Sequence, residues 1–282
     1  MIAILPRSGA GNRQRAGPVP HLPLIRVPHP VRVSWPTRRL PWPAVPVAVT
    51  LVLVLASAVG ARQGSPLTTE RGQLRTYLDV FDETNLPTWW AATVLVAAAL
   101  ACGAVAVLSG PGPARRRWLL LAGLTAALSV DEATVLHERL DRAVLPWLGP
   151  EDFPYLWVVP GLVLGLAVVV SVVRLTRAAP AAARRRLLLG LGLLLGSALG
   201  GEAVQGLLVA EGLVGWPFVV TYHLEELGET LGAIALLTGA VRVLDLVREP
   251  AGVRIRLRSA APPSSVRVGR QADDHLPDVA SA

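Results

Sequence analysis

Lysine is absent from this 282-residue chain, and all 27 basic side chains are arginines. The pattern reads as coding bias, so arginine abundance gives no case for nucleic-acid binding. One cysteine, Cys102, excludes an intrachain disulfide and with it the stapled secreted scaffold. Charged residues amount to 17%, against about 25% in a typical soluble domain, which excludes an ordinary cytosolic enzyme. No CxxC pair, Walker motif or glycine-rich phosphate loop occurs. What fills the chain is apolar: 52% of residues are hydrophobic, in recurring runs of roughly 20, the length that crosses a bilayer core.

Six such runs lie near 43–61, 88–109, 118–140, 155–174, 187–209 and 218–241. Backbone polar groups in lipid must be satisfied within their own segment, so the expected fold is an all-α, six-helix transmembrane bundle. Trp42, Trp89, Trp90, Trp118, Trp147, Trp157 and Trp216 fall at or near the ends of the runs, where indole favours the interface. Arginine bias sets the orientation. Seven arginines and no acid occupy 1–42, and Arg115–Arg117, Arg184–Arg186 and Arg242 onward mark the same side. The alternate loops are acidic or balanced, with Asp79, Asp82 and Glu83, then Asp141, Glu151 and Asp152, then Glu211. Both termini are therefore expected in the cytoplasm of a bacterial plasma membrane, with the tail arginines against anionic headgroups. Small residues after the first run resemble a signal-peptidase site, but the long segment ahead of it favours an uncleaved anchor. Residues 1–42, rich in Pro and Arg, and 248–282 are expected to be disordered tails.

Residues 115–133 align with 184–203 with one gap. This points to a parallel repeat of spans two and three in spans four and five, with Glu132 and Glu202 as equivalent positions.

Ionisable residues inside spans are costly and usually face protein or water. The third span carries DEATVLHE at 131–138, the fifth GGEAVQG at 200–206, the sixth YHLEELGET at 222–230. On a continuous third helix, Asp131, Thr134, Glu138 and Asp141 share one face while Glu132 points elsewhere. On the sixth helix Tyr222, His223, Glu226, Glu229 and Thr230 share a stripe, with Glu225 at its edge. At about 1.5 Å per residue from the cytoplasmic arginines, Asp131, Glu202, Glu226 and Glu229 all lie roughly 20–24 Å up. Three helices thus bring acids to one level, in the outer half of the membrane.

The strings ETNLPTWW (83–90), LSVDEATVLHE (128–138) and HLEELGE (223–229) resemble an uncharacterised family of bacterial multi-pass membrane proteins, over roughly 75–245. The resemblance implies the fold and no reaction. Membrane hydrolases related to alkaline ceramidases typically carry H-x-x-x-H near the last span. Here His223 is followed by Glu226 and no second histidine, so that likeness fails.

Three readings stay open. Asp131, Glu138, Glu202, His223, Glu226 and Glu229 are candidate ligands of a divalent metal (zinc, iron or manganese), oriented by His137, Gln205 and Tyr222. This is the arrangement by which carboxylates and imidazoles on facing helices hold metals in bundles. Alternatively the acids serve a proton- or cation-coupled transporter, for which six spans would call for a homo-oligomer. Or they form a buried polar network that only ties helices together. Ser129, Asp131 and His137 on one helix do not make a triad without geometry.

Overall fold

The computed structural model describes residues 42–60, 72–142, 145, 155–249 and 252–258. The expectations for 1–41, for Trp147 and for the segment after 258 lie outside them. Among the described residues seven helices succeed one another: α1 (Ala44–Gly60), α2 (Gln73–Leu78), α3 (Leu86–Leu108), α4 (Pro113–Thr134), α5 (Val158–Leu175), α6 (Ala181–Ala210) and α7 (Trp216–Val241). A two-stranded antiparallel hairpin, β1 (Leu244–Glu249) and β2 (Gly252–Leu257), follows.

Three segments are long and apolar enough to cross a membrane: Leu86–Leu108, Val158–Ala178 and Ala181–Ala210. Helix α1 is apolar but has 17 residues. Helices α4 and α7, of 22 and 26 residues, are diluted by Arg115–Arg117 at one end of α4, Asp131 and Glu132 at its other, and three glutamates inside α7. Large apolar side chains face outward, among them Val52 and Leu55 on α1 and Leu162, Val163 and Leu166 on α5. An apolar exterior of this kind suits a lipid environment.

The ETNLPTWW string is a helix start. The Asn85 side chain accepts from the Thr88 N–H at 3.2 Å and Pro87 sits in the first turn of α3, where its missing N–H costs nothing. Inside, Leu95, Ala98, Cys102 and Val105 of α3 meet Leu187 and Leu191 of α6 and Ala233 and Leu236 of α7. Helices α6 and α7 touch backbone to backbone. A Cβ on Gly232 would fall 2.6 Å from the Leu194 nitrogen, and one on Gly190 would fall 2.7 Å from the Gly232 oxygen. Small residues permit this approach, which gives membrane helices their dispersion contact. Polar ties add to it: Trp90 Nε1 donates to Thr50 Oγ1 at 3.0 Å, and Ser129 Oγ to the Ala92 carbonyl at 2.9 Å.

Two expectations change. The third span was read as one helix to residue 140, but α4 stops at Thr134. Val135 takes a left-handed conformation (φ 56°, ψ 42°), and the Asp131 carboxylate accepts from the His137 N–H at 2.9 Å, holding the chain in a turn. His137 and Glu138 thus leave the helix, and Asp141 no longer shares a face with Asp131. In addition, Arg248 and Glu249 lie in β1 and residues 252–257 form β2, within the segment expected to be a disordered tail. The hairpin register pairs Leu244 with Leu257, and Asp245 lies 3.7 Å from Arg256 and 3.4 Å from Arg258. The tryptophans divide: Trp89 and Trp216 are exposed at helix starts, while Trp118 and Trp157 are buried.

Candidate carboxylate site

The inward stripe of α4 runs Trp118, Leu121, Thr125 and Ser129, all buried. The next position at helical spacing is Glu132. On α7 the corresponding series is Tyr222, Glu226, Glu229, Ala233 and Leu236. Where these stripes face each other, Glu132, Glu226 and Glu229 each offer a carboxylate oxygen within 4.8 Å of the others. Glu132 therefore occupies the place that helical phase had given to Asp131. The phase was right, but which side turns inward is set by α4 lying along α3, where Ser129 donates to the Ala92 carbonyl.

Asp131 instead grips the turn after α4. Its Oδ2 is 3.0 Å from His137 Nδ1, and His137 Nε2 is 3.8 Å from Glu202 Oε1. Glu202, on the inward stripe of α6, also accepts from the Trp157 indole, whose ring lies 4.4 Å from the imidazole. The result is a chain of carboxylate, imidazole, carboxylate and indole joining α4, α5 and α6. Beside it Gln205 donates to Glu225, and the Tyr155 hydroxyl donates to Gln205 Oε1 at 3.4 Å.

His223 is directed elsewhere. Its Nδ1 is 2.7 Å from the Val219 carbonyl and its Nε2 3.1 Å from Ser57 Oγ, which also accepts from the Val80 N–H. It ties α1, the 79–85 loop and α7 together. Tyr222 stacks on His223 and packs against Phe81 and Phe218. Of the candidate ligands, then, the structure joins Glu226 and Glu229 in one trio, couples Asp131 to Glu202 through His137, and sets Glu138 on a cavity wall.

That cavity, about 330 Å³, is lined by Glu83, Glu138, Glu202, Gln205, Glu225 and Glu226 with the phenols of Tyr155 and Tyr222. Glu83 lies in the loop before α3, and burial pushes its carboxyl up to about 7, reinforced by the nearby Glu138 charge. A second space, about 370 Å³, lies between α4 and α5 and touches Glu132 and Glu229. The trio therefore stands between a polar chamber and an apolar one. Sequence reasoning left Glu132, Tyr155 and Trp157 out of the candidate site and took Glu83 only as an acid of the outer loop. Extending the α4 stripe by one step would have found the first, whereas the others sit in or beside loops that carry no periodic signal.

The chain belongs to the family described as domain of unknown function DUF8692, whose model matches residues 46–244, from α1 to the first residue of β1. No curated protein and no solved structure matches it.

Proposed function

We propose that this protein is a divalent-cation-dependent enzyme of the bacterial cytoplasmic membrane, with Glu132, Glu226 and Glu229 as the cation's protein ligands. The carrying observation is the trio itself, three carboxylate oxygens from two helices within 4.8 Å of one another. At that distance and an effective dielectric of about 20, each ionised pair repels by about 3.5 kcal/mol. The trio persists in ionised form only around a cation; otherwise it must hold protons. Among the described residues, no arginine lines either adjoining cavity to neutralise it.

An all-oxygen set favours magnesium, manganese or calcium. The expectation of zinc or iron rested on an imidazole ligand, and both ring nitrogens of His223 face other oxygens. A cation here would supply a Lewis acid for a substrate oxygen. His137, between Asp131 and Glu202, is placed to hold a proton next to it. In this reading all six apolar runs span the bilayer, both ends are cytoplasmic, and the trio lies in the outer half, reached from outside through the polar chamber.

Elemental analysis of detergent-purified protein supplied with manganese or magnesium tests the proposal. One ion per chain is expected, lost in Glu226→Gln and in Glu132→Gln, while Asp131→Asn keeps it. No bound ion in the folded wild type refutes the metal reading. If that protein instead shows pH-driven uptake in vesicles that Glu226→Gln abolishes, the transporter replaces it.

A further inference from the structure

The hairpin that follows α7 has no part in the carboxylate site, and its two faces differ. Alternate residues of a strand share a face. The register sets Leu244 and Leu246 of β1 beside Val253, Ile255 and Leu257 of β2, and puts Asp245 and Val247 with Arg254 and Arg256 on the other side. The ladder runs one step beyond β2, where the Arg258 N–H donates to the Val243 carbonyl at 2.8 Å. Arg258 joins the polar face, and Asp245 lies between it and Arg256 at 3.4 and 3.7 Å.

Only the base of the apolar face is covered, where Leu244 and Leu257 pack on the core of α3, α6 and α7. Farther out Leu246, Val253 and Ile255 are 71, 67 and 46% exposed. They adjoin across the strands, Leu246 opposite Ile255 and diagonal to Val253. A two-stranded hairpin is marginal in water by itself, and an exposed apolar patch marks contact with protein or membrane.

Position and charge decide between them. The hairpin starts three residues after α7 ends. Strand β2 touches α3, whose outward Leu100 and Val107 are exposed on a segment long and apolar enough to cross a bilayer. Near the same end, Leu187 of α6 would meet a Cβ on Gly239 of α7 at 2.9 Å. That end therefore also carries Arg184–Arg186 at the start of α6, and Arg115–Arg117 begin α4 a short loop after α3. The hairpin lies where the helices leave the lipid, on their arginine side. A guanidinium keeps its charge in any protein setting. Among the described side chains of the polar face three arginines meet one aspartate, so that face is cationic whatever the acids of the bundle hold. An apolar face backed by a cationic one, at this level, is the pattern of an element lying in a membrane interface.

We infer that β1 and β2 lie flat in the interface of the leaflet on the arginine side. Leu246, Val253 and Ile255 enter the acyl boundary, and Arg254, Arg256 and Arg258 lie among anionic phospholipid headgroups. The inference rests on the membrane-spanning reading and does not need a metal at the carboxylate trio.

The test places one nitroxide at a time on the full chain in vesicles, in a Cys102→Ala background. Its relaxation by oxygen, which dissolves in lipid, is compared with that by a water-soluble nickel chelate. Labels at Leu246→Cys and Val253→Cys are expected to favour oxygen, as is one at the outward Leu162→Cys of α5, while Arg256→Cys favours nickel. The Leu246 label should be more fully immersed in vesicles containing anionic lipid than in zwitterionic ones. Arg256→Gln with Arg258→Gln should remove that gain, about fivefold in the immersed-to-lifted ratio per charge, from roughly 1 kcal/mol for each arginine. Nickel access at Leu246 and Val253 overturns the inference. So does protection from both probes, which means that a second copy or another part of the chain covers the face, and so does equal immersion in the two lipids. Leu162 separates the readings. If that label also meets nickel, the spans fail and the hairpin placement with them; Leu162 in lipid with a wet Leu246 sinks the hairpin placement alone.

Discussion

Replacing Glu132 by Gln is the perturbation that separates a site built for a cation from three acids that merely share space. Glutamine keeps the shape and removes one charge, and therefore two of the three repulsive pairs. With all oxygens within 4.8 Å and about 3.5 kcal/mol per ionised pair, the ceiling on relief is about 7 kcal/mol, reached only if all three are ionised in the empty protein. Proton uptake lowers it, but the sign holds: without divalent ions the variant is at least as stable as the wild type. With the ion the order reverses. At a concentration about 100 times the Kd, binding stabilises the wild type by about 2.7 kcal/mol, which in a unit of roughly 200 residues raises Tm by about 5–10 °C. The assay is thermal unfolding of detergent-solubilised protein, with and without manganese, magnesium or calcium. The expected result is a rise in the wild type and little in Glu132→Gln, Glu226→Gln or Glu229→Gln. An equal rise in wild type and all three variants refutes the reasoning, as does a variant markedly less stable than the wild type in the absence of any ion.

Reporter fusions at residues 112, 145, 180 and 212 should alternate inside, outside, inside, outside; an outside signal at 112 or 180 breaks the six-span topology. Gly232→Ala should lower Tm, because its methyl would meet the Leu194 backbone nitrogen at 2.6 Å, at a cost of about 1–3 kcal/mol. Gly192→Ala, with nothing within 4 Å of the new methyl, should hold or raise Tm by the helix-propensity gain of up to about 1 kcal/mol, and a reversed order would show that α6 and α7 are not packed as described. Glu83, raised to about 7, favours its neutral form when folded. Its contribution to stability is therefore complete below the unfolded value near 4.5 and is lost as pH rises through about 7. Melting temperatures of Glu83→Gln should show a shallower decline over that window than the wild type, and parallel profiles would contradict the placement of this loop.

Composition and run length were enough to mark a helical chain with apolar helices long enough to cross a membrane, because the demand that lipid makes on the backbone is independent of how helices pair. Periodicity likewise placed Glu226 and Glu229 on one side of α7, since both lie on an uninterrupted helix. It failed at Glu132 and beyond. A helical wheel fixes angles between residues but not which angle faces the bundle, and only the seating of Ser129 on α3 turned Glu132 inward and Asp131 aside. No period could reveal that α4 breaks at Val135, because the break is held by Asp131 capturing the His137 N–H six residues on. The meeting of His137 with Glu202 and Trp157 depends on that break and on contacts across more than 40 residues of sequence. The sequence by itself determined that acids stand among apolar helices. Tertiary packing decided which three share one space, since carboxylates far apart in sequence become neighbours only when Gly190 and Gly232 let α6 and α7 close and α4 lies down against α3.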